Sequence, residues 1–314
     1  MTTDIHQAFV FPGQGSQQVG MLADIAAQWP QLLVTFDEAS EALSYDLWKL
    51  IQTGPQETLN LTENAQPALL ASSVALWRLL LAHGMAAPSF MAGHSLGEWS
   101  ALVCAGIVEF SDAVKLVQLR GRYMQEAVPV GVGAMAAIIG LDDALIEQCC
   151  ATAAQGEVVC AVNYNSPGQV VIAGHAAAVE RAGDLCKQAG AKRALPLPVS
   201  APFHTSLMRP AADRLATHIQ QTEFRVPQIP VVHNVHARTE QDPLAIKQLM
   251  IEQIYSPVAW VSCVNFLTAA GVREAVEVGP GKVLGGLIKR INKDVLVKST
   301  DSVDQVEQLL QSHQ

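Results

Sequence analysis

Ser95 stands between two glycines, and there the chain could do chemistry. Gly93-His94-Ser95-Leu96-Gly97 follows the short apolar run Phe90-Met91-Ala92-Gly93 and opens the helix-forming run from Leu96 to Ala105, which stops at Gly106. G-x-S-x-G at a sharp strand-to-helix turn is a nucleophile elbow. The turn pushes the hydroxyl outwards, the glycines leave room for neighbouring backbone, and the first N–H groups of the helix face the place where negative charge would build up. The chemistry this suggests is attack by Ser95 on an acyl carbon. A serine hydroxyl needs a base to do that. Among the nine histidines, His94 adjoins the serine, so its side chain should leave the elbow in another direction and suits packing or hydrogen bonding. His175, His204, His233 and His236 remain. His204 lies in the loop Ser200-Ala201-Pro202-Phe203-His204-Thr205, after a strand and later in the chain than the serine. Elbow-type sites run in that order, which favours His204 while leaving His233 and His236 open.

Arg120 is the second candidate. On the helix predicted from Ser111, as N-cap, to about Glu126, one stripe carries Ala113, Leu116, Val117, Arg120 and Met124, and the other side carries Lys115, Gln118, Arg122 and Glu126. Arg120 therefore interrupts an apolar face. A buried guanidinium needs an anionic or hydrogen-bonding partner, and its planar fork fits a carboxylate through two parallel bonds. Two other signals fail. Gly13-Gln14-Gly15 meets Gln18 where a dinucleotide-binding turn needs its third glycine, and Gly281-Lys282 is followed by Val283, not the hydroxyl residue of a phosphate-binding loop.

The elements that must position these residues alternate. Ala8 to Phe11 reads as a buried strand running into the turn Pro12-Gly13-Gln14-Gly15-Ser16, with helical patterning from Met21 to Leu43 and from Ala71 to His83. Then the rhythm changes: strand 134–139, helix 142–153, strands 158–163 and 169–173, helix 176–189 and strand 193–199. This βαββαβ order is the ferredoxin-like pattern, a unit that can be inserted into a larger domain. Beyond it, strands at Pro230–Asn234 and Ala275–Val278 alternate with helices. The larger body is α/β around a mainly parallel sheet. The expected division is 1–127 with 198–314 for the large subdomain and 128–197 for the small one.

Composition sets outer bounds. Half of the 314 residues are hydrophobic and 16% are charged, which suits a large buried core. A net charge of −9 argues against nucleic acid as a partner. The first basic residue is Lys49, so the cationic start of a signal peptide is not expected, and the uncharged stretch 127–141 is too short to span a membrane. The six cysteines form no CxxC pair and no zinc spacing, and read as reduced thiols packed as small apolar groups in the cytoplasm.

Seven motifs together carry a resemblance: Phe11-Pro12-Gly13-Gln14-Gly15-Ser16-Gln17, Gly93-His94-Ser95-Leu96-Gly97-Glu98, Gln118-Leu119-Arg120-Gly121, Gly133-Ala134-Met135-Ala136-Ala137, Asn165-Ser166-Pro167-Gly168-Gln169, Pro202-Phe203-His204 and Val278-Gly279-Pro280-Gly281. In this order, across almost the whole chain, they resemble the bacterial malonyl-CoA:acyl-carrier-protein transacylases of fatty-acid synthesis. The resemblance implies an α/β hydrolase-like large subdomain with an inserted ferredoxin-like α+β subdomain and a site in the cleft between them. It implies Ser95 as nucleophile, His204 as base, the backbone N–H groups of Gln14 and Leu96 as oxyanion hole, Arg120 on the malonyl carboxylate, and a backbone carbonyl near Gln253 orienting the histidine. The implied substrates are malonyl-CoA, a coenzyme A thioester, and phosphopantetheinylated acyl carrier protein. No metal or redox cofactor is expected, and the protein is expected to act as a cytoplasmic monomer. Carrier proteins of this kind are acidic, so this acidic chain would need a local basic patch. Lys289, Arg290 and Lys293 form the densest one, with Lys192 and Arg193 second. A polyketide-pathway acyltransferase shares these motifs. A serine esterase shares the elbow but gives Arg120 nothing to pair with.

Overall fold

Two separate sheets organise the chain in the computed structural model, which describes residues 6–199 and 201–312. Ser200, in the loop before His204, lies outside them. The first sheet is parallel throughout and has the order β7-β2-β1-β8-β9, with β1 His6–Phe11, β2 Phe90–Gly93, β7 Val231–Val232, β8 Val272–Glu277 and β9 Leu296–Ser299. The second is antiparallel throughout and has the order β4-β5-β3-β6, with β3 Gly133–Ile139, β4 Val159–Ser166, β5 Gln169–His175 and β6 Arg193–Pro196.

The parallel sheet is covered on both faces, which is why β1 reads as an unbroken apolar run. Along it, Phe9 and Phe11 pack into one cluster with Leu69 and Leu76, while Ala8 and Val10 pack into another with Trp260, Leu284 and Ile288. In the antiparallel sheet the alternation is clean. Ala136 and Ile138 face the helices Asp143–Ala154 and Ala176–Gln188 through Ile146 and Val179. Met135, Val162, Val171 and Ala173 face the other way, toward Leu197, Val199 and Phe203. One face of the small sheet thus makes its own core and the other walls the space beside Phe203. The order β4-β5-β3-β6 with two helices on one face is the ferredoxin-like arrangement.

Several elements differ from their sequence expectation. The pattern from Met21 to Leu43 is two helices, Ala23–Gln28 and Leu33–Leu43, broken at Trp29-Pro30 because proline withholds an N–H and restricts the residue before it. The helix expected from Ala71 runs from Thr62 to Ala82 and carries Pro67 inside it. That helix has the length and apolarity to cross a membrane, yet 83% of its apolar window is buried within the protein. It packs on the helix Phe110–Glu126 so closely that a Cβ on Gly121 would lie 2.4 Å from the Thr62 carbonyl oxygen. Ser111 is not an N-cap but lies inside that second helix, which Glu109 precedes in extended conformation. The strand expected to reach Val199 ends at Pro196, and the one expected over Pro230–Asn234 is only Val231–Val232.

Candidate active site

The site lies at the carboxyl ends of adjacent parallel strands, where open α/β sheets leave a crevice. Ser95 follows β2, Gln14 follows β1, and His233 and Asn234 follow β7. Ser95 has φ +52° and ψ −108°, a strained conformation for a residue with a side chain. The glycines around it are a packing requirement. A Cβ on Gly93 would lie 1.9 Å from the Gly97 carbonyl carbon, and one on Gly97 would lie 2.0 Å from the Phe11 carbonyl oxygen. Asn234 clamps the bend from behind: its Oδ1 accepts the Ser95 N–H at 2.8 Å and its Nδ2 donates to the Gly93 carbonyl at 2.7 Å.

His204 is the histidine that meets Ser95, with Nε2 2.8 Å from Oγ. Its Nδ1 lies 2.9 Å from the main-chain carbonyl of Gln253. A carbonyl only accepts, so Nδ1 carries the proton and Nε2 presents a lone pair to the serine hydroxyl. His204 is 3% exposed. Burial first, and the Arg120 charge second, push its pKa down to about 3, so the imidazole is neutral and competent as a base at neutral pH. His204 is itself held at φ +64°. The other candidates are elsewhere. His233 is buried with Nδ1 2.7 Å from Glu98 Oε1, and His236 stacks edge-on against it. His175 bonds the Val158 N–H. His94 turns away from the hydroxyl and bonds Asn165 Oδ1 through Nε2 at 2.7 Å.

Arg120 is 1% exposed and reaches the serine. Nη2 donates to Ser95 Oγ at 3.2 Å and to Gln253 Oε1 at 3.0 Å, and Nη1 donates to Gln66 Oε1 at 2.8 Å. None of these acceptors is a carboxylate, and the buried Nε has no partner among the described residues. Burial lowers the Arg120 pKa to about 10, against the opposing pull of the Glu98 charge, so the guanidinium stays ionised at neutral pH. Arg122, by contrast, is exposed and paired with Glu63 at 2.9 Å.

These groups open onto a cleft of about 830 Å³ lined from both sheets. Gln14, Ser95, Leu96, Arg120 and His204 line one wall; Met135, Asn163, Asn165 and Val171 line the other. The N–H groups of Gln14 and Leu96 have no protein acceptor among the described residues. All five expected basic residues are exposed. Arg290 donates to Gln169, itself in the cleft wall, and Gln169 pairs across β3 at Ile139, opposite Arg193. Of the two cationic groups, the first thus touches the cleft wall through Arg290, and the second lies on the small sheet two strands from Gln169. Sequence reasoning did not find Gln66, Glu98, Asn234 or the side-chain role of Gln253. For Glu98 there was a signal, a carboxylate in a helical turn otherwise made of buried apolar residues.

The acyl transferase domain family matches residues 8–295. The malonyl CoA-acyl carrier protein transacylase of Escherichia coli O157:H7 is 62% identical over 284 residues, covering 90% of this chain and 92% of that protein. The crystal structure of an acyl carrier protein S-malonyltransferase from Vibrio cholerae superposes with a TM-score of 0.95 at 59% identity, covering 97% of this chain and 99% of that one. A malonyl-transacylase solved in complex with a type II PKS acyl-carrier protein gives 0.97 at 55% identity, over 98% and 99% of the two chains. With likeness of this extent along the whole chain, and the elbow, imidazole and guanidinium gathered at one point, this chain belongs to the malonyl CoA-acyl carrier protein transacylases of the acyl transferase domain family.

Proposed function

We propose that the chain moves a malonyl group from coenzyme A to the phosphopantetheine thiol of acyl carrier protein through an ester on Ser95. The observation that carries this reading is the convergence on Ser95 Oγ of a neutral imidazole at 2.8 Å and a buried guanidinium at 3.2 Å that has no carboxylate of its own. In a malonyl thioester the free carboxylate is separated from the reacting carbonyl by a single methylene. A charge held beside the nucleophile suits that diacid and has no counterpart in a simple ester. Nε and Nη2 form one side of the guanidinium fork, so a carboxylate accepting from both would give the orphaned Nε a partner.

In the first step His204 Nε2 takes the hydroxyl proton as Oγ bonds to the carbonyl carbon. The N–H groups of Gln14 and Leu96 stabilise the oxyanion. The C–S bond then breaks, and the departing coenzyme A thiolate takes the proton from His204. In the second step the carrier thiol gives its proton to His204, its sulfur attacks the ester, and the C–O bond breaks as Oγ recovers the proton. Acid–base chemistry alone balances both steps, so the reading needs no metal or redox cofactor. The same reading has the protein act as a monomer in the cytoplasm. Lys289, Arg290 and Lys293, with Lys192 and Arg193, supply the positive edge that an acidic carrier protein would meet at the cleft.

Intact mass measurement after incubation with malonyl-CoA or acetyl-CoA tests this. Wild type should gain a malonyl adduct, Ser95→Ala none, and Arg120→Ala a malonyl adduct formed about a hundredfold more slowly, as loss of a charge-assisted pair implies. Undiminished labelling of Ser95→Ala would defeat the mechanism. Equal malonyl and acetyl labelling of wild type would remove the role given to Arg120.

A further inference from the structure

We infer that Glu98 is a positioning residue that fixes which way the Gln253 amide faces and thereby aims Arg120 at the substrate carboxylate. The inference rests on the malonyl-transfer reading above. Glu98 lies in the first turn of the helix Leu96–Cys104 and is fully buried. Its carboxylate meets three donors: His233 Nδ1 at 2.7 Å on Oε1, and the Asn234 N–H at 3.1 Å and Gln253 Nε2 at 2.6 Å on Oε2. An ionised carboxylate cannot donate, so everything facing it must.

That constraint propagates through Gln253, which is also fully buried. Its Nε2 faces oxygens only: Glu98 Oε2, the Ser95 carbonyl at 3.0 Å and Asn234 Oδ1 at 3.4 Å. Its Oε1 faces Arg120 Nη2 at 3.0 Å. A flipped amide would set oxygen against carboxylate and carbonyl, and would set NH₂ against the guanidinium. The orientation shown is the one that leaves no like groups opposed. As a result Arg120 is gripped by two neutral amide oxygens, from Gln253 and from Gln66, and by no anion. The grip aims the guanidinium without neutralising it. The Glu98 charge stays one amide away, near enough to favour the ionised arginine and too far to occupy its fork. The same glutamine orients His204 through its main-chain carbonyl, which no side-chain change removes. The two functions of Gln253 can therefore be separated.

The experiment reads the ratio of malonyl to acetyl labelling rates on Ser95 for Gln253→Met, Glu98→Leu, Glu98→Gln and the double variant Glu98→Leu/Gln253→Met, with melting temperature alongside. Gln253→Met keeps the carbonyl for His204 and removes the amide from Arg120, so malonyl labelling should fall about tenfold further than acetyl labelling does. Glu98→Leu should lower the ratio similarly, and the double variant should be no worse than Gln253→Met alone. Glu98→Gln retains an oxygen for Gln253 and Asn234 and should recover most of the ratio. Equal loss of both labels in Glu98→Leu, or a Glu98 effect that persists on the Gln253→Met background, would overturn the inference. Should Glu98→Leu fail to fold, an unchanged ratio in Gln253→Met overturns it by itself. A wild-type ratio near one would refute the carboxylate-pairing role of Arg120 itself, a different failure.

Discussion

Around Ser95, the parallel-sheet unit buries a carboxylate, two imidazoles, a guanidinium and two amides: Glu98, His204, His233, Arg120, Asn234 and Gln253. The antiparallel sheet keeps its ionic groups outside, as in the partly exposed pairs Arg181–Glu157 and Lys187–Asp184, and fills its interior with Ala, Ile, Val and Cys. Its buried groups without a partner among the described residues, Asn163 Oδ1 and Ser166 Oγ, sit toward the end of β4, where Asn163 lines the cleft. Ser95 and His204 both carry positive φ at the point of chemistry, although Leu22, Ser44, Gln155 and Ala237 carry it elsewhere. Buried polar groups and backbone strain each cost stability. The buried polar groups gather in one region, so the parallel-sheet unit holds the reacting groups while the small sheet supplies a wall. Glycine substitutions probe this contrast directly.

The largest effect is expected at Gly97→Ala. The new Cβ would lie 2.0 Å from the Phe11 carbonyl oxygen and 2.9 Å from that of Pro12, both main-chain atoms with nowhere to move. Unfolding in denaturant should show a loss of about 3 kcal/mol or more. Any folded fraction should label poorly, because relieving the clash moves the elbow. A Gly97→Ala protein with near wild-type stability and labelling would mean that the elbow is softer than its contacts indicate.

Next is the pH dependence of acylation, which probes how far burial reaches into the chemistry. The ordinary histidine value is 6.5, and His204 is held at about 3. The base is therefore neutral well below pH 6.5, and the rate of acetyl labelling should stay flat from pH 7 to pH 5. The sign for stability follows. Below pH 6.5 the unfolded chain takes up a proton that the folded imidazole refuses, so this group's contribution is complete above 6.5 and is lost as the pH falls towards 3. Arg120→Ala removes the second largest cause of the depression and should move the acid limb upward. An acid limb near 6.5 in wild type would show that the imidazole is better hydrated than its 3% exposure implies.

The same contrast separates what was legible in the sequence from what was not. The elbow could be read because its requirement is local: strand, glycine, serine, glycine, helix. Arg120 could be read because a charge on an apolar stripe breaks a period. The small sheet could be read because βαββαβ is a sequential pattern. The polar network behind the serine has no such signature. Asn234 meets Ser95 across 139 positions, and Gln253 meets Glu98 across 155. Each is one polar residue at a loop or helix end, indistinguishable from a solvated one until the strands bring them together. Chain order favours His204 over His233 only weakly, for the same reason. One follows a loop and the other a two-residue strand, and only the fold places the first on Ser95 and the second on Glu98. The start of the helix Thr62–Ala82, nine residues before Ala71, is hidden because its first turns carry Pro67 and the polar residues Thr62 and Gln66, which are buried.

The smallest effect is expected at Gly183→Ala, on the quiet side of the comparison. Gly183 is buried in the helix Ala176–Gln188, and a Cβ there would meet only the Ala194 methyl at 3.5 Å, an ordinary contact. Alanine gains about 0.8–1 kcal/mol over glycine in a helix interior, and nothing in this environment takes it back. The midpoint of denaturant unfolding should therefore rise slightly, with malonyl and acetyl labelling rates both unchanged, because the helix lies on the face of the small sheet turned away from Phe203 and the cleft. If labelling falls while stability rises, the small sheet is a moving part of the site and its role as a passive wall is wrong. Two glycine-to-alanine changes in one chain, one ruinous and one mildly stabilising, would then trace the boundary between the region that holds the reacting groups and the region that encloses them.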